Sequence, residues 1–451
     1  MGVSNLHMSD NRLVRTGVLC LLYFAQGFPW GFATVALLSV LSEAGHSKEK
    51  TAAITGLAVI PWTFKFFWAP LIDSVQVPSY GLRRPWIAIA QLGMALTLFG
   101  VWFTGQIGES TTLTFIAWVF FAHNCFASLQ DVATDALAVD LLEDSERGRV
   151  NGLMWGSKLF GTAVGGAGFG RVIATWDIAT AVVIQAGLIF AIFLVVLTIR
   201  ERPGEKGLPG SKGSRQAPEG ANAAGFFSVL SELKRALSLK TTFLAAVMAC
   251  TVNLCEGLYA PLTTDVFVQG LQWTATAYSD AAGTYGVLGE LLGAIGGGLL
   301  CDRFGRRRMA GLGLILTSAT LLTFGLTSAH WGSDSYPAVL LIPLFRGFFA
   351  LTTVSLFSLY MKISWTGAAA CQFTLYMALS NLGYKGGAKL NELNQWLASW
   401  GYQTTLTNGD FYVLAGCLAL IPLTILPWLR PDSVVQKRIA ETPMSTSAPD
   451  G

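Results

Sequence analysis

Long apolar stretches recur along almost the whole chain, from residue 13 to residue 429. A helix needs about 20 largely apolar residues to cross the hydrocarbon core of a bilayer. Only 13% of the residues are charged, against roughly 25% in soluble domains, so a soluble enzyme and a nucleic-acid-binding protein are both excluded. The sequence therefore predicts an all-α membrane protein with 12 transmembrane helices, at residues 13–41, 52–72, 86–106, 112–139, 150–170, 179–199, 241–269, 279–301, 309–329, 337–361, 367–389 and 409–429.

The basic residues indicate how these helices are oriented. When the N-terminus is placed inside, most of the 30 lysines and arginines fall in the inner loops and the C-terminal tail. The outer loops then hold only Lys48, Lys50 and Arg171. Loops rich in lysine and arginine stay on the cytoplasmic side of a membrane. We therefore expect both termini in the cytoplasm and an even number of spans.

Residues 200–240 interrupt the apolar pattern with glycine, serine and charged residues, which are typical of a flexible linker. Within them, residues 225–239 predict a short amphipathic helix at the membrane interface. This interruption predicts a six-helix bundle at 1–199 (the first half), a cytoplasmic linker with an interfacial helix at 200–240, a second six-helix bundle at 241–430 (the second half) and a cytoplasmic tail at 431–451. Two repeated halves are a common plan of transporters.

The most specific motif lies in the short loop between the eighth and ninth spans, GLLCDRFGRR at residues 298–307. It matches the G-x-L-x-D-R-x-G-R-[KR] signature of the major facilitator superfamily. A glycine in the loop permits a tight turn, and the aspartate can pair with the arginines or with a nearby helix end. The first half has an altered counterpart with an insertion. We interpret both loops as a conformational gate formed by Asp73, Arg83, Arg84, Gly298, Asp302, Arg303, Gly305, Arg306 and Arg307.

Further segments narrow this resemblance to one branch of the superfamily. They are FAQGFP at 24–29, IPWTFKFFWAPLID at 60–73, RRPW at 83–86, QDVATDA at 130–136 and QFTLYMALS at 372–380. Together they resemble the AmpG-like permeases, a group of bacterial anhydromuropeptide permeases, siderophore permeases and acetyl-CoA transporters. The resemblance implies a major facilitator fold in a bacterial inner membrane, a small-molecule cargo, no cofactor and a monomer in the lipid bilayer. The cargo stays open among a muropeptide, a siderophore and an acyl-CoA.

Charged residues inside the spans predict where the cargo binds. An ionisable side chain in a span is costly to insert, by about 2.5–3.5 kcal/mol, and therefore faces a cavity or a partner. Lys65, Asp131 and Lys158 each lie about 12–14 Å from the inner boundary at 1.5 Å per residue. Asp135 follows Asp131 by one helical turn, and Asn124 precedes Asp131 by two turns. We expect a charged cluster that lines a cavity, and the alternative is a structural ion pair that holds the first half together.

The second half carries Glu256, Glu290 and Arg346, whose positions predict that they meet nearer the middle of the membrane. A structural ion pair is again the alternative to a cavity lining. Cationic side chains in such a cavity favour an anionic cargo, and its carboxylates can carry protons. Asp131 is the carboxylate that we expect to be needed for proton-linked uptake.

Other classes of function are weighed against transport. The sequence has no H-E-x-x-H, G-x-S-x-G or Walker A motif, so we expect no enzyme activity. A membrane channel would not need two repeated halves, and a transporter-like sensor would carry an appended domain. The sequence thus predicts a secondary active transporter that works by alternating access, coupled to protons as a symporter, with channel and sensor as alternatives.

Overall fold

The structure is a computed structural model. It describes residues 7–37, 60–62, 64–101, 110–207, 226–273, 278, 281–332, 336–364, 369–402 and 405–429. Helices account for all the regular secondary structure of these residues. Within those ranges the β pairing is limited to two isolated bridges, His7 with Arg200 and Val77 with Gly81. The prediction of an all-α protein is confirmed. The predicted tail from residue 431, and the linker between residues 208 and 225, lie outside the described residues.

Seven α-helices have both ends among the described residues of the first half: α1 (Arg12–Gly31), α2 (Trp68–Ser74), α3 (Arg84–Val101), α4 (Ser110–Leu141), α5 (Arg147–Ala163), α6 (Phe169–Thr175) and α7 (Ile178–Thr198). Wider π-helical turns extend α1 over Phe32–Ala36 and join α5 to α6 over Val164–Gly168. A 3₁₀ turn over Lys65–Phe67 leads into α2. Asn11 caps α1, because its side chain accepts hydrogen bonds from the first free backbone N–H groups of the helix.

The linker helix and the second half follow with nine more: α8 (Phe226–Leu237), α9 (Lys240–Val252), α10 (Leu254–Asp265), α11 (Val287–Phe304), α12 (Arg306–Thr327), α13 (Tyr336–Ile363), α14 (Ala369–Lys389), α15 (Leu393–Ser399) and α16 (Asn408–Ile425). A helix thus overlaps each of the twelve predicted spans. Among the described residues, seven helices are long and apolar enough to cross a membrane by length and composition.

Close backbone contact holds α1 against α5 in the first half. A Cβ atom at Gly27 would collide with the backbone at Lys158, and one at Gly31 would collide with Thr162. Gly161 on α5 faces the backbone of Phe24 in return. Small residues let membrane helices approach this closely, where van der Waals packing replaces the hydrophobic driving force. The second half repeats the arrangement with α9 and α10 packed on α14.

The two halves meet in two places. In one, α5 packs on α11 and α13, and in the other, α14 packs on α2 and α4. Gly148 and Gly152 on α5 lie against the backbone of Gly298 and Ala294 on α11. These contacts lie at the end of the molecule where α5 begins and α11 ends, which carries many arginines; we call it the basic end.

The start of the predicted linker is packed rather than free. Glu201 is fully buried, and its carboxylate accepts hydrogen bonds from the backbone N–H groups of Leu82 (2.9 Å), Arg83 (2.7 Å) and Arg84 (2.5 Å). These are the free donors at the start of α3, where a negative charge also suits the helix dipole. The linker therefore fixes the loop between α2 and α3.

Candidate functional site

A cavity of about 280 Å³ lies between the two halves. Its size is at the lower end of the roughly 300–1,000 Å³ typical of small-molecule sites. Both halves contribute charged and aromatic side chains to its wall. The lining includes Tyr23, Trp62, Lys65, Asp131, Asp135, Trp155 and Lys158 from the first half, and Asn253, Glu256, Glu290, Arg346, Phe357, Ser380 and Asn381 from the second.

The first-half wall holds an ion pair beside a carboxylate of a different kind. The Lys65 ammonium lies 2.8 Å from Asp131 Oδ2, and both side chains are buried. One turn along α4, Asp135 accepts a hydrogen bond of 2.5 Å from the Tyr23 hydroxyl. Among the described residues no cation lies within 4 Å of Asp135. The two aspartates therefore differ in partner although they share one helix face.

Lys158 has an aromatic environment instead of a carboxylate partner. Its ammonium nitrogen lies 5.1 Å from the ring centre of Trp62, 5.6 Å from Trp155 and 5.8 Å from Tyr23. Each ring can contribute a cation–π interaction at this separation. In the described part of the chain no carboxylate oxygen lies within 4 Å of this nitrogen. Lys158 thus lies on the cavity wall among aromatic rings, without a carboxylate partner among the described residues.

The second-half wall is built around one cation and two carboxylates. Arg346 on α13 forms an ion pair with Glu290 on α11 and lies 3.6 Å from Glu256 on α10. These side chains are more exposed than the lysine–aspartate pair across the cavity, because Arg346 is 35% exposed and Lys65 is 9% exposed. Uncharged polar groups of Asn253, Ser380 and Asn381 surround them.

One side chain links the two walls. The indole Nε1 of Trp155, on α5, donates a hydrogen bond of 3.0 Å to Glu290 Oε1, on α11. The same ring packs edge to face against Phe357 on α13, with 6.1 Å between the ring centres. First-half and second-half charges are therefore joined through Trp155 at the depth of the cavity.

Two aspartates fasten the basic end across the halves. Asp302, at the end of α11, accepts hydrogen bonds from the backbone N–H groups of Gly148 (2.8 Å) and Arg149 (2.7 Å) at the start of α5. Asp73, at the end of α2, accepts one of 3.0 Å from the backbone N–H of Cys371 at the start of α14. Each carboxylate thus sits on the positive end of a helix dipole that belongs to the opposite half. We call these two contacts the aspartate latches.

The arginines of the two motifs have separate partners. Arg83 is buried between Asp73 (2.6 Å) and Asp140 (2.8 Å). Arg84 turns away and donates to the backbone carbonyl oxygens of Tyr80 and Leu197. The Arg84 side chain therefore helps to hold the loop between α2 and α3, and it takes no part in the contact between Asp73 and Cys371.

In the second-half motif, Arg306 reaches across to Asp144, 2.6 Å away, and Lys362 lies 3.1 Å from the same carboxylate. Partial burial alone would raise the pKa of Asp144, but the hydrogen bonds from Arg306 and Lys362 outweigh it and lower the pKa. Arg307 donates to the Pro427 carbonyl oxygen, and Arg303 is exposed beside the Phe304 ring. Gly305 has φ +91°, so the predicted tight turn uses a conformation that favours glycine.

The structure places most of the predicted cavity residues around one cavity, but Asn124 does not line it. Asn124 lies behind Trp62 and accepts its indole hydrogen bond at 2.8 Å. The sequence-based predictions did not include the aromatic rings around Lys158. A signal was present, because W-x-x-K occurs twice, at Trp62–Lys65 and at Trp155–Lys158. In the described part of the chain no group of three His, Cys, Asp or Glu side chains is placed to hold a metal ion.

Membrane-length helices that enclose a charged cavity between two halves define a protein that moves solutes across a membrane. The chain belongs to the Major Facilitator Superfamily, whose pattern it matches over residues 19–387, and it is a multi-pass membrane transporter. The anhydromuropeptide permease of Escherichia coli (strain K12) is 26% identical over 377 residues, which cover 82% of this chain and 72% of the permease. The putative transporter AmpG 4 of Rickettsia felis is 21% identical over 346 residues, which cover 72% of this chain and 78% of that protein.

Solved structures show the same fold. The MFS transporter FucP in the outward conformation matches with a TM-score of 0.65 at 14% identity, over 92% of this chain and 98% of FucP. The human organic anion transporter MFSD10 (TETRAN) matches with a TM-score of 0.65 at 16% identity, over 92% of this chain and 99% of that one. The predicted major facilitator fold and the AmpG-like resemblance are confirmed.

Proposed function

We propose that the protein is a proton-coupled secondary transporter that moves a small anionic solute by alternating access. The observation that carries the proposal is the ammonium of Lys158, which faces the cavity from among three aromatic rings. Lys65 and Arg346 are occupied by carboxylates of the protein. Lys158 is the cation whose best partner would come from the cargo, in a site where water is partly excluded and electrostatic attraction is strong.

The charge of the cavity supports proton coupling. Its wall carries three cations (Lys65, Lys158 and Arg346) and four carboxylates (Asp131, Asp135, Glu256 and Glu290). With every group ionised the wall has an excess of one negative charge, and an anionic cargo would add another. Binding one proton together with a singly charged anion keeps the excess at one negative charge instead of two. The cargo and the proton would therefore bind better together than alone, as a symporter requires.

Asp135 is the carboxylate that we propose as the proton carrier. Protonation of Asp131 would break its pair with Lys65, and protonation of Glu290 would break its pair with Arg346. Protonation of Asp135 breaks no ion pair among the described residues, because its partner is the Tyr23 hydroxyl, which can reverse and accept. This assignment differs from the interpretation of the sequence, which favours Asp131 for the role.

The aspartate latches support alternating access with the basic end closed. Their hydrogen bonds join the halves at that end and would have to break for the cavity to open there. Lysine and arginine favour the cytoplasmic side, so we place the basic end and both termini in the cytoplasm of a bacterial cell with the protein in the inner membrane. In this orientation the halves, as two rocking bundles, close the cavity toward the cytoplasm.

The cargo class follows from the relatives by analogy. A muropeptide-related anion is our first candidate, since the permease from Escherichia coli is named for anhydromuropeptides. A siderophore and an acyl-CoA are the other candidates of the same group. Thermal-shift screening of the purified protein against anhydromuropeptides, ferric siderophores and acyl-CoAs will separate them, because a bound ligand raises the melting temperature by mass action.

The decisive test compares two lysine variants with the ligand that the screen identifies. Lys158→Gln should weaken binding of the anion about 10- to 100-fold, as expected for loss of a hydrogen-bonded charge. Lys389→Gln is the matched control, because Lys389 is exposed and paired with Glu392 away from the cavity. Uptake into proteoliposomes should saturate and rise with an imposed inward proton gradient. If the rate of uptake does not change with the proton gradient, proton coupling is overturned. If Lys158→Gln and Lys389→Gln bind the ligand with equal affinity, the proposed anion site at Lys158 is overturned.

A further inference from the structure

Trp155 stands apart from the other indoles described near the cavity because its hydrogen bond crosses between the halves. Its Nε1 donates to Glu290 Oε1 over 3.0 Å. The indole of Trp62 donates to Asn124, and that of Trp68 donates to Ser128, both within the first half. Trp155 is half-buried, and its ring also faces the Lys158 ammonium.

The position of this hydrogen bond couples it to movement between the halves. Between Trp155 and the basic end, α5 and α11 touch through the backbones of Gly148, Gly152, Ala294 and Gly298. Helices packed this closely separate together rather than deform, since packed cores and interfaces switch between discrete arrangements. Opening of the basic end therefore parts the α5–α11 contact and breaks the hydrogen bond that spans it.

We propose that Trp155 is a positioning residue that stabilises the closed basic end through Glu290 and transmits cargo binding at Lys158 to the second half. The proposal rests on the proposed function in one respect, namely that the basic end opens during transport. An anion that binds Lys158 shifts the ammonium against the Trp155 ring, and the same ring holds Glu290. Glu290 in turn is paired with Arg346, so a displacement of the indole reaches the second-half charges directly.

The test measures opening of the basic end without any cargo. Spin labels are placed at Leu13 on α1 and Arg308 on α12, both exposed, with the exposed Cys417 replaced by serine. Distances are measured by double electron–electron resonance in lipid nanodiscs. Trp155→Phe keeps the ring and removes the donor, and it should raise the ratio of open to closed molecules about 3- to 10-fold, as for one lost hydrogen bond.

Trp68→Phe is the matched control, because it removes an indole donor of the same 3.0 Å length inside one half. Its ratio should change less than about 2-fold. The melting temperatures of the two variants should be similar. A purely structural role of Trp155 would instead lower the melting temperature of Trp155→Phe below that of Trp68→Phe without changing the ratio of open to closed molecules. That result would overturn the proposal.

A second variant approaches the hydrogen bond from its acceptor and serves if Trp155→Phe does not fold. Glu290→Met should raise the open-to-closed ratio in the same direction, and an unchanged ratio would overturn the proposal even where Trp155→Phe does not fold. Where Trp155→Phe does fold, adding it to Glu290→Met should produce no further rise. Additive effects would show that the two residues act separately and would overturn the proposal. Arg306→Ala reports on the proposed function itself, because it breaks the contact with Asp144 at the basic end. If neither Arg306→Ala nor the Trp155 variant changes the distances, alternating access at this end fails together with the inference; a shift in Arg306→Ala alone overturns only the inference.

Discussion

The two walls of the cavity solve the problem of buried charge in different ways. In the first half, Lys65 and Asp131 neutralise each other in a deeply buried pair, and Lys158 is left among aromatic rings. In the second half, one arginine serves two carboxylates, and these side chains are more exposed. The first wall therefore offers a cation to the cargo, and the second offers an excess of negative charge.

This difference assigns different tasks to the halves. A deeply buried pair tolerates no loss of one partner, because the remaining charge is left without compensation in a medium of low dielectric constant. A partly exposed group with shared partners loses less, since water can compensate. The Lys65–Asp131 pair of the first half is thus the part of the site that tolerates loss of a partner least, and the ion pairs of the second half tolerate such a loss better.

The largest expected effect concerns single loss of Lys65. Lys65→Met should reduce the free energy of unfolding by about 3–5 kcal/mol, because Asp131 is left buried and unpaired. Arg346→Met in the second half should cost less than half as much, since its surroundings are partly exposed. Denaturation in detergent measures both variants, and the double variant Lys65→Met with Asp131→Leu should recover most of the loss. Equal losses of unfolding free energy in Lys65→Met and Arg346→Met would contradict this difference between the two halves.

The next effect separates the carboxylates by their role in coupling. Asp135→Asn should keep exchange of cargo across proteoliposomes but lose accumulation driven by a pH gradient. An electroneutral pairing of one anion with one proton gives about a tenfold concentration ratio per pH unit, so the expected change is from roughly 10 to 1. Glu256→Gln should retain accumulation. Loss of accumulation in Glu256→Gln but not in Asp135→Asn would instead assign the transported proton to Glu256 in the second half.

A smaller effect is expected at the basic end, where Asp302 and Arg306 each make a contact between the halves. Asp302→Ala and Arg306→Ala should each slow the maximal transport rate by about 5-fold while the cargo Kd changes less than about 2-fold, since they act on conformational exchange. Arg303→Ala is the control, because this arginine is exposed beside Phe304 and takes no part in the crossing contacts described here. A loss of affinity equal to the loss of rate would contradict a role in gating.

The smallest effect is a pH dependence of the contact at Asp144. The pKa of this carboxyl is lowered by Arg306 and Lys362, so the contact contributes in full above the unfolded value of 3.8 and is lost as the pH falls through the lower folded value. Asp144 is 54% exposed, so water screens the contact and its contribution stays below about 1 kcal/mol. The basic-end distances should widen slightly between pH 5 and pH 3, and less so in Asp144→Asn. An identical response of both proteins would show that other groups control the acid opening.

The sequence predicted the helices and most of the charged cavity residues for one physical reason, whereas it indicated the family through its motifs. Apolar length and charge inside a span are both properties of single segments, so they can be read without knowing which helices touch. Equal depth predicted that Asp131 meets Lys65 or Lys158, and the structure pairs it with Lys65. Contacts that depend on helix rotation did not follow: Arg84 turns to backbone carbonyls, and Asn124 lies behind Trp62. The spacing W-x-x-K accounts only for Trp155, which lies on the same helix as Lys158; Trp62 and Tyr23 come from two other segments, and no local pattern specifies that they converge there.

The buried carboxylate of Glu201 has a consequence for how the protein is made. It caps α3 from a position 118 residues after Arg83, so the loop between α2 and α3 cannot reach its final form until the ribosome has passed the sixth span. At about 5–20 residues per second, this delay is on the order of 6–24 s. During that interval the amides at the start of α3 have only water or lipid headgroups as partners. The emerging first half therefore closes its own loop only after its last helix has been synthesised.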